Sequence, residues 1–335
     1  MTSSPTQLVD NFGRQVTYVR MSITDRCDFR CVYCMDEEMV FMPRENLLTL
    51  EEIVFLLKAF CELGVEKVRI TGGEPLVRRN VDWLFEQVGQ LKQTTSLKEL
   101  NLTTNGSQLV KYAGSMFKSG VDRINISLDS LKPERFKELT RIGELETVLT
   151  GIAAAQQAGF KNLKLNAVIM KGRNDDEIID LAQFAIDNQL DISYIEEMPL
   201  GQVSHQRDES FFSSDEVLDV LKTAFNLTAS TKNTGGPSRY YTVEGSESKI
   251  GFISPHSHNF CDTCNRVRMT TEGRLLLCLG QEHSVDLRHV IRQFPGDMEC
   301  LKQAIIDSMA IKPEGHEFDI KEQPVIFRHM SVTGG

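Results

Sequence analysis

From residue 16 to about residue 225, short β-branched runs alternate with stretches in which apolar side chains recur every three or four positions. A two-residue period marks half-buried strands and a 3.6-residue period marks amphipathic helices. On that basis residues 16–24, 67–71, 99–104, 123–129, 163–169 and 192–198 read as strands, and residues 50–63, 81–91, 108–119, 146–158 and 175–188 as the helices between them. Strand and helix in strict alternation imply parallel strands with helices outside. Six such units fall short of the eight that close a barrel. The fold class expected is therefore α/β: a partial, open (β/α)6 TIM-type barrel over residues 14–227, with residues 1–13 as a flexible N-terminus. Beyond residue 225 the rhythm changes. Residues 228–238 are polar and Gly-rich, like a linker, and shorter strands at 240–243, 249–253, 267–270 and 274–277 precede helices at 285–293 and 298–309. This second part, 228–335, reads as a smaller α+β C-terminal domain that covers the open side of the barrel.

Composition narrows the partners. The 335 residues are 41% apolar, and 37 Lys and Arg against 47 Asp and Glu give a net charge of −10. An acidic surface argues against general affinity for nucleic acid or anionic membranes, so any anionic ligand must meet a local cluster of cations. No apolar run approaches the roughly 18 residues of a membrane span, and the first dozen residues lack a signal or transit pattern. A cytoplasmic protein is expected. Eight cysteines in such a chain suggest metal thiolates rather than disulfides.

Six of the eight cysteines stand in two triplets. Cys27, Cys31 and Cys34 are spaced x3/x2, and Cys261, Cys264 and Cys278 are spaced x2/x13. A closed zinc site or an electron-carrying cluster takes four protein ligands, so three leave one coordination position open for something else. From spacing alone, a zinc knuckle and a ferredoxin-type cluster with a remote fourth cysteine remain alternatives for the first triplet. Around it the strand ends carry unusual loops: Gly72-Gly73-Glu74-Pro75, Thr103-Thr104-Asn105-Gly106 and Ser127-Leu128-Asp129-Ser130. In parallel βα folds these loops meet on one face, where chemistry collects. Paired glycines let backbone approach a ligand, although alone they also make an ordinary tight turn. Cys61 falls on the apolar face of its helix and Cys300 has no cysteine nearby, so both read as packing residues, while His256 and His258 read as loop residues. Glu196-Glu197, at a strand end, is a weaker candidate for contact with substrate or an arginine.

The run Cys-Asp-Phe-Arg-Cys-Val-Tyr-Cys, with Tyr33 beside the last thiol and Gly-Gly-Glu-Pro after the next strand, resembles the radical S-adenosylmethionine superfamily. The run 253–279 around the second triplet, and the Gly334-Gly335 ending, narrow the resemblance to the GTP 3',8-cyclase family of molybdenum cofactor biosynthesis. The resemblance implies two 4Fe-4S clusters, each with one open iron. The first would bind S-adenosylmethionine and cleave it reductively; the resulting radical takes hydrogen from ribose C3' of GTP, which then closes onto guanine C8. The second would bind the guanine. This is lyase chemistry, and it implies 3',8-cyclo-7,8-dihydro-GTP as product.

Carried over by position, the resemblance assigns Tyr33, Gly72, Gly73, Glu74, Ser127 and Met198 to the cofactor. It assigns Arg20, Arg69, Thr103, Lys164, Arg266, Val267 and Arg268 to GTP, with Arg266, Arg268, Gly334 and Gly335 acting in catalysis, and Arg274 is a further candidate for GTP as a cation near the second triplet. Arg266 and Arg268 alternate on one strand face and suit a triphosphate, because each guanidinium can grip two oxygens. A Gly-x4-Gly-Lys-Ser/Thr loop is absent from the sequence, so phosphate hydrolysis of the switch-protein type is not expected. Implied partners are an electron donor of flavodoxin or ferredoxin type, a downstream cyclic pyranopterin monophosphate synthase, and a second copy in a homodimer. Two rivals share part of the pattern: a two-cluster radical enzyme acting on a peptide side chain, and a non-enzymatic iron-sulfur electron carrier.

Overall fold

The computed structural model describes residues 7–231, 235–320 and 326–334. The six expected strands are present as β1 (Tyr18–Ser22), β2 (Lys67–Thr71), β3 (Glu99–Thr104), β4 (Arg123–Ser127), β5 (Leu163–Val168) and β6 (Asp191–Ile195), each parallel to the next. Between them run α1 (Leu50–Glu62), α2 (Val81–Gln90), α3 (Leu109–Lys118), α4 (Pro133–Thr140), α5 (Leu145–Gln157) and α6 (Ile178–Asp187). Capping explains where α1 starts: the Thr49 hydroxyl accepts from the Glu52 N–H at 3.1 Å and the Glu52 carboxylate accepts from the Thr49 N–H at 2.8 Å. Ile53, Leu56, Leu57, Phe60 and Cys61 on that helix are buried against the sheet. After α7 (Arg207–Ser210) and α8 (Ser214–Lys222) come β7 (Leu227–Ser230), β8 (Arg239–Val243), β9 (Lys249–Ile253), β10 (Arg266–Met269), β11 (Arg274–Leu276) and β12 (Ser284–Asp286), then α9 (Leu287–Gln293), α10 (Met298–Ser308) and α11 (Met330–Thr333).

These later strands join the barrel sheet instead of building one of their own. β9 pairs in parallel with β6, β10 pairs in parallel with β1, and the antiparallel strands β8–β7 and β11–β12 continue outward from them. The result is one 12-stranded sheet among the described residues, ordered β12-β11-β10-β1-β2-β3-β4-β5-β6-β9-β8-β7, whose end strands do not pair. It is a partial barrel, mostly parallel and not closed. Two expectations change. The stretch expected to begin a linker at 228 is strand β7, and residues 7–13, expected to be loose, are tied down by the Val9–Gln15 bridge and a buried Leu8 and Asp10. No helix among the described residues is long and apolar enough to cross a membrane.

Side-chain alternation sorts the strands into two faces. Val19, Met21, Val68, Ile70, Leu100, Leu102, Ile124 and Ile126 are fully buried toward the helices. Their neighbours on the other face are Tyr18, Arg20, Lys67, Arg69, Asn101, Arg123 and Asn125, all of which line the interior of the barrel. A barrel of this type ordinarily fills its interior with branched apolar side chains. Here it is polar and cationic, which is the first structural sign of a ligand site.

Candidate active site

Pairing register determines which cations meet. Arg20 on β1 stands level with Arg69 on β2 and Arg268 on β10, while Tyr18 stands level with Lys67 and Arg266. Together with Lys164 they line a cavity that Cys261, Cys264 and Cys278 line as well. Arg69 Nε donates to the Tyr18 hydroxyl at 2.6 Å, and its Nη1 to the Leu102 carbonyl at 3.0 Å and the Thr103 hydroxyl at 3.4 Å. Lys164 Nζ donates to Ser193 at 3.1 Å and Tyr240 at 3.4 Å. The Arg266 guanidinium lies over the Phe260 ring at 4.9 Å. Burial lowers the pKa of Arg20 to about 10 and lowers those of Arg268 and Lys164 as well. Desolvated cations packed this closely repel one another, so an anion in their midst is strongly favoured. The buried side-chain oxygens of Asn101, Asn125 and Asn166 line the same cavity without a partner. Unsatisfied buried acceptors are costly unless something bonds them.

A second, smaller cavity lies at the C-terminal ends of the strands and is lined by Cys27, Cys31, Cys34, Tyr33, Gly72, Gly73, Thr103, Ser127 and Asp129. A Cβ on Gly72 or Gly73 would stand 2.5 Å from the carbonyl oxygen of Thr24 or Arg26, so only glycine lets this loop lie against the end of β1. The Tyr33 hydroxyl donates to Asp129 Oδ2 at 2.8 Å, which fixes the ring beside the thiols. Asn105 Nδ2 lies 3.7 Å from Cys27 Sγ. Burial, followed by the charge of Glu74, raises the Cys27 thiol; burial and Asp129 raise Cys31; burial raises Cys34 to about 12. At the other triplet burial alone would raise Cys264, but the charges of Arg266 and Lys312 override it and bring the thiol below its usual value. Among the described residues, no three His, Cys, Asp or Glu side chains converge tightly enough for a single metal ion. Thiols that ring a cavity suit a group several atoms across, and thiols this buried ionise only beside compensating positive charge.

The chain's end connects the two cavities. Met330, at the start of α11, lines both. The Ser331 N–H donates to the Cys34 thiol, and the Gly334 carbonyl accepts from Arg268 Nη1 at 2.5 Å. Gly334 has φ +76°, and a Cβ there would fall 1.8 Å from the Thr71 hydroxyl oxygen, so a side chain at this position is excluded twice over. Gly335 lies outside the described residues.

Three expected site residues fall elsewhere. Glu74 is wholly buried and does not line either cavity; it accepts from Leu76 N at 2.9 Å, Thr104 Oγ1 at 2.8 Å and Asn105 N at 2.6 Å, so it ties the β2 loop to the β3 loop. Met198 lines the larger cavity and not the smaller. Arg274 bonds Ser284 at 2.9 Å and pairs with Asp286, holding β11 to β12 outside both cavities. Val267 lines the larger cavity between two arginines although its side chain belongs to the core. Thr103 sits where the cavities adjoin, lining the smaller and bonded to Arg69 of the larger. Glu196 and Glu197 are fasteners: Glu196 accepts from the N–H groups of Ser214 and His256, and Glu197 from His205 and Arg207. Tyr18, Lys67, Arg123 and the three asparagines were not singled out from sequence. The available signal was polar residues at alternate positions within β-branched strands.

The radical SAM superfamily matches residues 21–185 of the chain. Over 329 residues, 98% of both chains, it is 59% identical to a GTP 3',8-cyclase of Saccharophagus degradans. The chain belongs to the GTP 3',8-cyclase family. A second family member, from Pseudomonas entomophila, is 56% identical over the full length of both chains. The later strands of the cyclase fold fall in a region, residues 190–318, that matches the Molybdenum Cofactor Synthesis C family. Among solved structures, Streptococcus suis SuiB bound to S-adenosylmethionine superposes with a TM-score of 0.59 at 16% identity, covering 85% of this chain and 66% of that one, a likeness of fold.

Proposed function

We propose that the chain is a lyase of the radical S-adenosylmethionine type that converts GTP to 3',8-cyclo-7,8-dihydro-GTP, the first step of molybdenum cofactor biosynthesis. The observation that carries this reading is the pair of three-thiol cavities joined by one cationic barrel interior, with Gly334 at the junction. Cys27, Cys31 and Cys34 would hold one 4Fe-4S cluster, and Cys261, Cys264 and Cys278 the other. With its ligands bound, the first centre supplies one-electron cleavage of S-adenosylmethionine and the second an open iron for the guanine.

The chain's own residues do the remaining work. The Gly72-Gly73 backbone and Ser127 would bond the methionine and ribose portions of the cofactor, with Tyr33 held in place by Asp129. Arg20, Arg69, Lys164, Arg266 and Arg268 would neutralise the triphosphate, each arginine offering two donors to phosphate oxygens. The unpartnered oxygens of Asn101, Asn125 and Asn166 would accept from sugar hydroxyls and base N–H groups. Arg268 and the Gly334-Gly335 tail would fix the ribose against the reacting cofactor, where small errors of placement cost most. Residues 14–227 carry the first cluster in this reading, and residues 228–335 carry the second together with the Gly334-Gly335 tail, while GTP would lie between them against cations of both parts. A flavodoxin- or ferredoxin-type donor, a cytoplasmic setting, a homodimeric state and delivery of product to a cyclic pyranopterin monophosphate synthase complete the proposal.

The test is anaerobic reconstitution with an iron count, expected at about eight per chain for two cubanes, followed by mass spectrometry of products from GTP and S-adenosylmethionine. Cyclised nucleotide and 5'-deoxyadenosine in equal amounts are expected. Cofactor cleavage without any cyclised nucleotide sinks the substrate assignment.

A further inference from the structure

Lys312 lies between the two segments that carry the second thiol set, only 3% exposed. Its Nζ donates to the Leu277 carbonyl at 2.9 Å and lies 3.7 Å from Cys264 Sγ. Leu277 immediately precedes Cys278, so one ammonium reaches both limbs of the triplet. The segment bearing it is clamped in place. Arg14 donates to the carbonyls of Pro313 at 2.5 Å, Glu314 at 2.5 Å and Cys261 at 2.8 Å, and is itself held by buried Asp10 at 2.7 Å. Gln281 adds a bond to the Gly315 carbonyl at 3.3 Å, and a Cβ on Gly315 would stand 3.5 Å from Cys261 Sγ. Among the described residues no carboxylate pairs with this buried ammonium, which therefore needs negative charge nearby, and a neutral thiol is a poor acceptor. A metal-bound thiolate would satisfy both needs.

We propose that Lys312 is the hydrogen-bond donor and counter-charge to the cluster at the second thiol set, raising that cluster's reduction potential above that of the first; this rests on the two-cluster reading above. One-electron reduction adds one negative charge, which a cation at a ligand sulfur stabilises. Beside the first set stand carboxylates instead: Asp28, next to Cys27 in the chain and held by Asn105 at 2.7 Å, and Asp129, which accepts from the Tyr33 hydroxyl at 2.8 Å. An external one-electron donor therefore fills the second cluster first, leaving an electron stored beside the substrate. Lys312 is a positioning residue in this scheme: it acts through Cys264.

The experiment is a dithionite titration of the anaerobically reconstituted full-length enzyme, followed by electron paramagnetic resonance. In the wild type the second cluster is expected to reduce at the more positive potential. Lys312→Met should move that midpoint in the negative direction and leave the first cluster's midpoint where it was, and Lys312→Arg should restore most of the shift. A sample carrying ¹⁵N-lysine should show coupling from a lysine nitrogen to the reduced second cluster, lost in Lys312→Arg. An unmoved midpoint in Lys312→Met overturns the proposal, as does a labelled wild type without lysine coupling. If Lys312→Met fails to hold the second cluster, the labelled wild type decides alone. A wild-type iron count near four overturns the two-cluster reading itself, whereas a count near eight with no lysine effect overturns only the role of Lys312.

Discussion

The two thiol triplets look alike in sequence and sit in opposite electrostatic surroundings. Beside Cys27, Cys31 and Cys34 stand the carboxylates Asp28 and Asp129, with Asp28 held by Asn105 at 2.7 Å and Ser107 at 2.6 Å, while the Arg30 guanidinium is engaged by the backbone carbonyls of Cys27 and Phe29. Around Cys264 the near charges are the cations Arg266 and Lys312. Burial raises Cys278 at the same site, so the contrast is carried by Cys264 and by the floor of arginines beside it. Three cysteines specify how many irons of a cubane are ligated by the protein and leave one open. Their neighbours decide how readily the site gives up an electron and what charge it tolerates alongside. Acidic surroundings favour a strongly reducing centre, as cleavage of a sulfonium demands; cationic surroundings favour a centre that shares its cavity with a triphosphate.

The largest break in this comparison comes from removing one thiol on each side. Cys27→Ala is expected to abolish both 5'-deoxyadenosine and cyclised nucleotide, whereas Cys261→Ala should keep cofactor cleavage and lose cyclisation, as read by chromatography of both products in one reaction. Cleavage that survives Cys27→Ala would falsify the division of labour. A smaller break targets the junction. Gly334→Ala forces a Cβ onto the Thr71 hydroxyl, so the tail and its Arg268 contact must shift. Cyclisation should slow by about 10²-fold, the usual consequence of an ångström of misplacement near reacting atoms, while the iron count stays the same. Wild-type turnover by this variant removes the tail from the catalytic account.

Much of this architecture was legible in the sequence because periodicity and chemistry agreed. Strands β2 and β3 and the start of α1 were read to the residue, since each is a β-branched or apolar-periodic run bounded by a capping Thr or a glycine. β7 was missed because Leu-Thr-Ala-Ser has no apolar alternation of its own, and it exists through pairing with β8. α4 was missed because its apolar contacts, Phe136 and Leu139, are few, and the edge-to-face packing of Phe136 on Phe29 is tertiary. The cysteines announced both cavities. What spacing could not reveal was that β9 and β10 extend the barrel sheet at either edge, since parallel partners distant in sequence leave no local trace. That same pairing aligns Arg268 with Arg20 and turns Arg266 and Arg268 to the barrel interior, whereas Arg274, on the same face of β11 as Leu276, lies one strand further out and is held there by Ser284 and Asp286.

The most delicate test of the cationic side uses Tyr18 as a built-in reporter. Burial alone would raise its pKa, yet the neighbouring Arg69, Arg20 and Arg266 bring it down from the ordinary 10.0 to about 7. The folded-state value is depressed, so the phenolate's contribution to stability is present in full above about pH 10 and is lost as pH falls through about 7. Tyr33 and Tyr194 are pushed the other way by burial and stay protonated across this window. An ultraviolet phenolate titration of the substrate-free enzyme should therefore show a step near pH 7 that disappears in Tyr18→Phe. Adding GTP should move the step upward, because a triphosphate competes for the same guanidiniums and repels a second negative charge. A step that GTP leaves in place would mean that the anion binds elsewhere, and the contrast between the two thiol sites would then lose its explanation in substrate charge.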